Sequence, residues 1–251
     1  MSRAWVIFKR IGRLLKFLLF CVILTVIILL LWRVFSTGTP KEIQGLEPND
    51  KLNAAYSASL SEDKELYVFK QIHDELSGGE TKGYFGVPEA RFIPDANQAQ
   101  IVFRYNNSTI SALAKDYSLP AVPSKTDELF DVSLVLYIGD RPEDPSQEIS
   151  KDNAENIKAI RVTPEAEPQK AYSTLYSFYR YTFNFENGEE AINLNELMES
   201  KKLLSVHVEI YYKGDLDYSK NAYGALSIYD YRRDNIAVKL TKNEKEALGG
   251  K

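Results

Sequence analysis

A mainly β fold carried on a membrane helix is what the sequence predicts: an N-terminal transmembrane α-helix followed by an antiparallel β-sandwich-like domain with a few short helices. Three observations lead there. Residues Phe17 to Trp32 run FLLFCVILTVIILLLW without a charge, the apolar period beyond residue 63 is two, and helical signals are few and short.

The apolar run comes first. Leu14, Leu15, Val34 and Phe35 extend it on both sides, and Lys16 and Arg33 reach the headgroups with their charged tips, so about 20 residues are on hand for a bilayer core. Trp32 suits an interface. A buried globular helix would show one polar face, and this run shows none. A cleaved signal peptide would need small residues soon after the core, where the chain has Trp32-Arg33-Val34-Phe35. Five Lys/Arg residues precede the span, and the segment after it is mixed, with Lys41, Glu42, Glu47 and Asp50. The positive-inside bias then places the N-terminus in the cytoplasm and the C-terminal domain outside the cell.

The expected organisation is a basic tail at 1–16, the membrane helix at 17–35, a polar linker at 36–63 with a short helix around Lys51–Ser59, and an extracytoplasmic β domain at 64–251. The clearest strand is Leu204, Val206, Val208, Ile210 and Tyr212 alternating with Ser205, His207, Glu209, Tyr211 and Lys213. Phe130–Ile138 and Ala99–Tyr105 repeat the pattern. Tyr172–Phe185 is aromatic on both faces, Tyr176 and Phe178 against Tyr179, Tyr181, Phe183 and Phe185, and reads as a central strand that bends or changes sheets. Weaker strands are expected at 65–71, 83–87, 91–93, 157–162, 222–231 and 236–240. Ser108, Asn193 and Thr241 are the expected helix caps.

Charge and cysteine narrow the setting. Six of the 31 basic residues fall in the first 33 positions, which hold no acid, leaving 25 against 35 acids, a net of −10. Such a domain repels phosphate backbones, so nucleic acid is excluded as a partner. The single cysteine, Cys21, lies inside the apolar run, so the outer domain carries no disulfide, which favours a bacterial surface.

No catalytic signature is found. The two histidines, His73 and His207, sit in no metal-ligand spacing, and neither a G-x-S-x-G elbow nor a glycine-rich strand-to-helix turn occurs. Acids bunch after two strong strands, at Asp140 to Asp144 and at Asp215 to Asp217. Convergence of Asp140, Asp144, Asp215 and Asp217 would give a weak Ca²⁺ site of oxygen ligands; solvated turn acids are the plainer reading. Asn106 and Asn107 begin overlapping glycosylation sequons, which in a bacterium are a turn and a helix cap. Of sixteen tyrosines, six crowd near the C-terminus, Tyr211, Tyr212, Tyr218, Tyr223, Tyr229 and Tyr231, and suit either strand packing or a platform for sugar rings or a protein.

The blocks Val102-Phe103-Arg104-Tyr105-Asn106-Asn107-Ser108-Thr109, Phe130-Asp131-Val132-Ser133-Leu134-Val135, Tyr211-Tyr212-Lys213-Gly214-Asp215-Leu216-Asp217-Tyr218 and Tyr223-Gly224-Ala225-Leu226-Ser227-Ile228-Tyr229-Asp230, with the helix edge Trp32-Arg33-Val34-Phe35, are similar to an uncharacterised group of single-pass membrane-anchored surface proteins of Gram-positive, clostridia-like bacteria. The resemblance spans most of the chain and implies location and architecture, with no activity attached. The expected function is therefore a membrane-tethered extracytoplasmic binding or assembly module, not an enzyme. Its partners are the lipid bilayer through residues 17–35 and a surface protein or glycan ligand. The alternatives are a cell-surface enzyme acting on cell-wall glycan, with carboxylates in the Asp140 and Asp215 loops, and an accessory or sensor subunit of a membrane complex.

Overall fold

The computed structural model describes residues 3–66, 68–71, 85–141, 157–186, 191–232 and 236–249. Helix α1 spans Arg3–Thr37, and its stretch Leu14–Trp32 has a mean hydropathy of 3.1. Among the described residues it is the one helix long and apolar enough to cross a membrane.

The strands beyond it are β1 (Val68–Gln71), β2 (Phe85–Ile93), β3 (Gln98–Asn106), β4 (Phe130–Ile138), β5 (Lys158–Val162), β6 (Gln169–Tyr172), β7 (Tyr176–Asn184), β8 (Leu203–Tyr212), β9 (Gly224–Asp230) and β10 (Ile236–Val238). Short helices α2 (Asp50–Ser61), α3 (Asn107–Asp116), α4 (Leu194–Glu199) and α5 (Lys242–Ala247) intervene. Among the described residues the strands form two antiparallel sheets, one in the order β10-β1-β2-β3-β7-β6 and one in the order β5-β4-β8-β9.

Period-two alternation explains how the sheets meet. Ala99, Ile101, Phe103 and Tyr105 of β3, with Tyr179, Tyr181 and Phe183 of β7, share one buried cluster with Val132, Leu134 and Leu136 of β4 and Val206, Val208 and Ile210 of β8. Rings cross between the sheets: Phe130 lies 5.1 Å from Phe85 and 4.9 Å from Tyr105, and Phe92 lies 6.0 Å from Tyr229. Tyr105 and Tyr179 stack at 5.5 Å and share a hydroxyl hydrogen bond of 2.9 Å. One hydroxyl donates to the other, and the other donates to the Asp127 carbonyl, 3.1 Å from Tyr105 and 3.3 Å from Tyr179, which fixes the connection between α3 and β4.

β7 matches its two-faced reading: Phe178 and Tyr176 pack with Ile43, Val102 and Ala171 on one side, and the tyrosines and Phe183 face the shared core on the other. It stays within one sheet along its length rather than changing sheets, and β6, not anticipated, pairs with it. The clean alternation of β8 has one break. Tyr137 pairs with Ser205 and Ile138 with Leu203, so Leu204 is the extra residue of a bulge. It packs outward with Val135 and Tyr137, while Leu203 takes the core position.

The stretch read as a linker is a third layer. Ile43 is fully buried on Phe178 and Val102, and Leu46, Leu52 and Tyr56 pack against Ile93 and Val68 over the outer face of the six-stranded sheet. Gln100 accepts from the Glu47 amide at 2.7 Å and donates to its carbonyl at 2.8 Å, and the Asn49 side chain donates to Gln98. Polar glutamines on that face fit this cover and not solvent. Gly45, at φ +80, makes the turn beside Glu244 of α5, a backbone shape that glycine adopts freely. Helix α3 is capped by Asn106, whose side chain accepts from the Thr109 amide, so the cap lies two residues before the expected Ser108. Asn193 and Thr241 cap α4 and α5 as anticipated.

Candidate functional site

The outer face of the four-stranded sheet carries the densest chemistry among the described residues. Strand alternation turns Asp131 and Ser133 of β4, Glu209 and Tyr211 of β8 and Arg161 of β5 to the same side, away from the shared core. The Arg161 guanidinium donates to Ser133 Oγ at 2.8 Å and to the Tyr211 hydroxyl at 3.1 Å, and pairs with Glu209 at 2.7 Å. The Tyr211 hydroxyl in turn donates to Glu209 at 2.7 Å. Tyr218, from the β8–β9 connection, stacks over Arg161 with 4.8 Å to its ring centre and donates to Asp131.

Burial, then the Glu209 carboxylate, pushes the Tyr211 phenol up to about 12; burial and the Asp131 hydrogen bond push Tyr218 up as well. Both stay protonated donors at neutral pH. The carboxylates are occupied by these partners. The arrangement therefore presents a fixed cation–aromatic plate, with Tyr218 39% exposed at its rim.

A second feature is an open cleft of about 640 Å³ between α2 and α4. Ser59, Glu62, Asp95, Asn97, Asn193 and Asn195 line it with short hydrogen-bonding side chains. Asn97, held in the left-handed region, donates to the Ile192 carbonyl at 2.7 Å and accepts from the Leu194 amide at 2.8 Å, which locks α4 beside the β2–β3 turn. Among the described residues the cleft holds no histidine or thiol.

The expected calcium ligands do not converge. β4 and β8 are neighbours, but Phe130 faces Tyr212 and Ile138 faces Leu203. Asp140 follows one end of this ladder and Asp215 and Asp217 follow the other, separated by roughly 27 Å of strand. Antiparallel pairing puts the two loops at opposite poles, so no single ion takes ligands from both. Asp144 lies outside the described residues. Asp215 accepts from Lys220 Nζ at 3.2 Å, and Asp217 accepts from the Ser219 amide and hydroxyl at 2.9 and 2.6 Å. Those Ser219 bonds hold the Asp217 carboxyl below its ordinary range. Among the described residues no group of three metal-ligating side chains occurs.

His207 points outward, with its ring 4.9 Å from that of Tyr137; His73 lies outside the described residues. The C-terminal tyrosines form no solvent-facing row. Tyr229 is in the core, Tyr212, Tyr223 and Tyr231 pack against it, and Tyr211 is buried in the Arg161 network. Sequence reasoning missed Arg161. Its signal was the run of polar residues on the outward positions of two strong strands, which asks for a charged partner but does not say where along the chain it comes from.

No family model, no curated protein and no solved structure matches this chain.

Proposed function

We propose that the chain is a single-pass membrane protein with its N-terminus in the cytoplasm, whose sandwich-like β domain serves outside as a binding or assembly module. The observation that carries this is α1. Its Leu14–Trp32 stretch has no side chain buried by the rest of the fold, and an apolar helix exposed on every side matches hydrocarbon rather than water. The five basic residues before the span support the orientation, and the disulfide-free domain and the resemblance of its sequence blocks support a Gram-positive surface.

The chemistry of the two surfaces supports binding over catalysis. The outer-face phenols are held protonated, Glu209 is ion-paired with Arg161, and Asp131 accepts from Tyr218. The cleft offers asparagine, serine and acidic side chains to a polar surface ligand, a glycan or an extended peptide. Protease added to intact cells should digest epitopes beyond residue 36 and spare an N-terminal tag; a protected C-terminus would overturn the orientation. Affinity capture from native membranes should then recover a stoichiometric surface protein or glycan. Cleavage of a cell-wall glycan by the purified chain would replace the binding role with an enzymatic one.

A further inference from the structure

Beyond α1, the large apolar side chains exposed among the described residues are Leu60, Val122, Tyr172, Leu175, Leu216 and Tyr218. Five of the six belong to one end of the molecule. Tyr172 and Leu175 are at the β6–β7 turn, Val122 is in the connection from α3 to β4, and Leu216 and Tyr218 are in the connection from β8 to β9. In the larger sheet this is the end where Asn106 faces Tyr176 and Tyr172 faces Ser177; in the smaller it is where Phe130 faces Tyr212. The rings of Phe85 and Tyr105 against Phe130 bring the two ends together. The three connections are also tied directly: Lys125 Nζ donates to the Ser173 carbonyl at 3.2 Å, and Glu128 pairs with Lys170 at 3.5 Å and Lys213 at 3.2 Å. Leu60 is the exception, beside Leu66 and Leu240 near the opposite, β10 edge of the larger sheet.

The anchor arrives on the same side. The Glu42 carbonyl accepts from Gln169 on the β6 edge, and Ile43 packs on Ala171 and Phe178. From there the chain moves away from the loop end, to Gln100 at Glu47 and to Gln98 at Asn49. Between Trp32 and Ile43 lie the last five residues of α1, a short extended piece and the start of a 3-10 turn at Lys41–Ile43. At 1.5 Å per helical residue and about 3.4 Å per extended one, the first buried residue sits at most about 30 Å from the end of the span. So short a tether keeps the β6 side and the loop end within reach of the bilayer.

We propose that this loop end rests on the bilayer that holds α1, with Val122, Leu175 and Leu216 in the interfacial layer and Tyr172 at headgroup level. The inference depends on reading α1 as a membrane span. Apolar tips beside tyrosine are the chemistry that partitions to an interface. Lys170, Lys213 and Lys220 at this end are paired with Glu128, Asp215 or Asp217, Lys125 is held by the Ser173 carbonyl, and the domain is net acidic, so the attachment is apolar and not electrostatic.

The test uses the full chain reconstituted in neutral phosphatidylcholine vesicles carrying doxyl-labelled lipid. An environment-sensitive fluorophore on native Cys21 reports insertion of the span. In a Cys21→Ser background, single labels go on Val122→Cys, Leu175→Cys, Leu216→Cys and, as control, Leu60→Cys; all four sites are exposed, so the labels leave the core intact. The expected result is blue-shifted, lipid-quenched emission at the three loop sites, unquenched emission at Leu60→Cys, and no loss of quenching in high salt. Quenching at Cys21 with none at the loop sites overturns the proposal and leaves the anchor standing. No quenching at Cys21 overturns both. Loop labels shielded from aqueous iodide but untouched by doxyl lipid, in proportion to protein density, would mean that a second copy covers this end. Loop quenching confined to anionic vesicles, or equal quenching at all four sites, refutes the apolar, one-ended contact.

Discussion

Replacing Glu244 with alanine perturbs three segments at once. Glu244 sits in α5 with its side chain 7% exposed, and it pairs with Arg91 of β2, itself 9% exposed. The same carboxylate accepts from the Thr241 amide at 2.8 Å and the Thr241 hydroxyl at 2.7 Å, completing a capping box, and lies against Gly45 of the third layer. Breaking a buried ion pair from one side costs about 3–5 kcal/mol. Arg91 keeps Glu89 as a second partner, which puts the loss toward the lower bound, while the lost cap adds up to about 1 kcal/mol. About 3–4 kcal/mol in total corresponds to a fall in melting temperature of about 10 °C for a domain of this size. Glu246→Ala is the control. It lies on the same helix with an exposed 3.7 Å pair to Lys242, and should cost no more than about 0.5 kcal/mol.

The pH dependence carries its own sign. Burial acts to raise the Glu244 pKa, but the Thr241 hydrogen bonds and the Arg91 charge outweigh it, and the carboxyl titrates below its ordinary value. A depressed folded-state pKa gives stability that is present above the unfolded value and lost as pH falls through the folded one. The gap between the native chain and Glu244→Gln should therefore be full at neutral pH and close below about pH 4. Thermal melts of the detergent-solubilised full chain, followed by circular dichroism, decide the matter. Equal melting temperatures for Glu244→Ala and Glu246→Ala would refute the account of this junction.

On β8, Val208→Asp places a carboxylate in the fully buried core and should cost about 4 kcal/mol or more, whereas His207→Ala, on the outward face, should cost under about 1 kcal/mol; similar urea midpoints would contradict the strand's facing. Asn106→Ala should destabilise by about 1 kcal/mol through loss of the α3 cap, with Ser108→Ala near neutral, as read by the same denaturant curves. Tyr105, Tyr179 and Tyr181, pushed up mainly by burial, and Tyr211, pushed to about 12, hold their protons more tightly folded than unfolded. Their contribution is thus intact below the ordinary phenol value of about 10 and lost above it. Tyrosinate absorbance rising non-cooperatively below the alkaline unfolding transition would argue against this. Ca²⁺ and Mg²⁺ at equal ionic strength should shift the melting temperature alike, since Asp140 and the Asp215–Asp217 loop are at opposite poles; a Ca²⁺-specific shift abolished by Asp217→Asn would reveal a site within one loop.

What the sequence determined by itself is what local physics writes into neighbouring residues. A charge-free run of bilayer length reads as one long helix, whatever follows it. Alternation at 99–105, 130–138 and 206–212 is a direct consequence of side chains leaving a strand on opposite faces, and β3, β4 and β8 appear with the anticipated residues in the core. Asn193 and Thr241 cap helices because the amides they satisfy are three residues away. Tertiary structure decided everything that depends on which segment meets which. Only pairing reveals that Leu204 is a bulge residue and that β4 and β8 run antiparallel, which sends the two acidic loops apart. Residues 43–60 look polar enough for a linker, yet cover a sheet face whose buried Gln98 and Gln100 lie some fifty positions further on. Arg161 meets Glu209 across a similar stretch of chain, and Arg91 meets Glu244 across one of 153 positions. Periodicity tells a residue which way to face; the identity of what it faces is set by chain closure and packing, and those interactions leave no mark on adjacent residues.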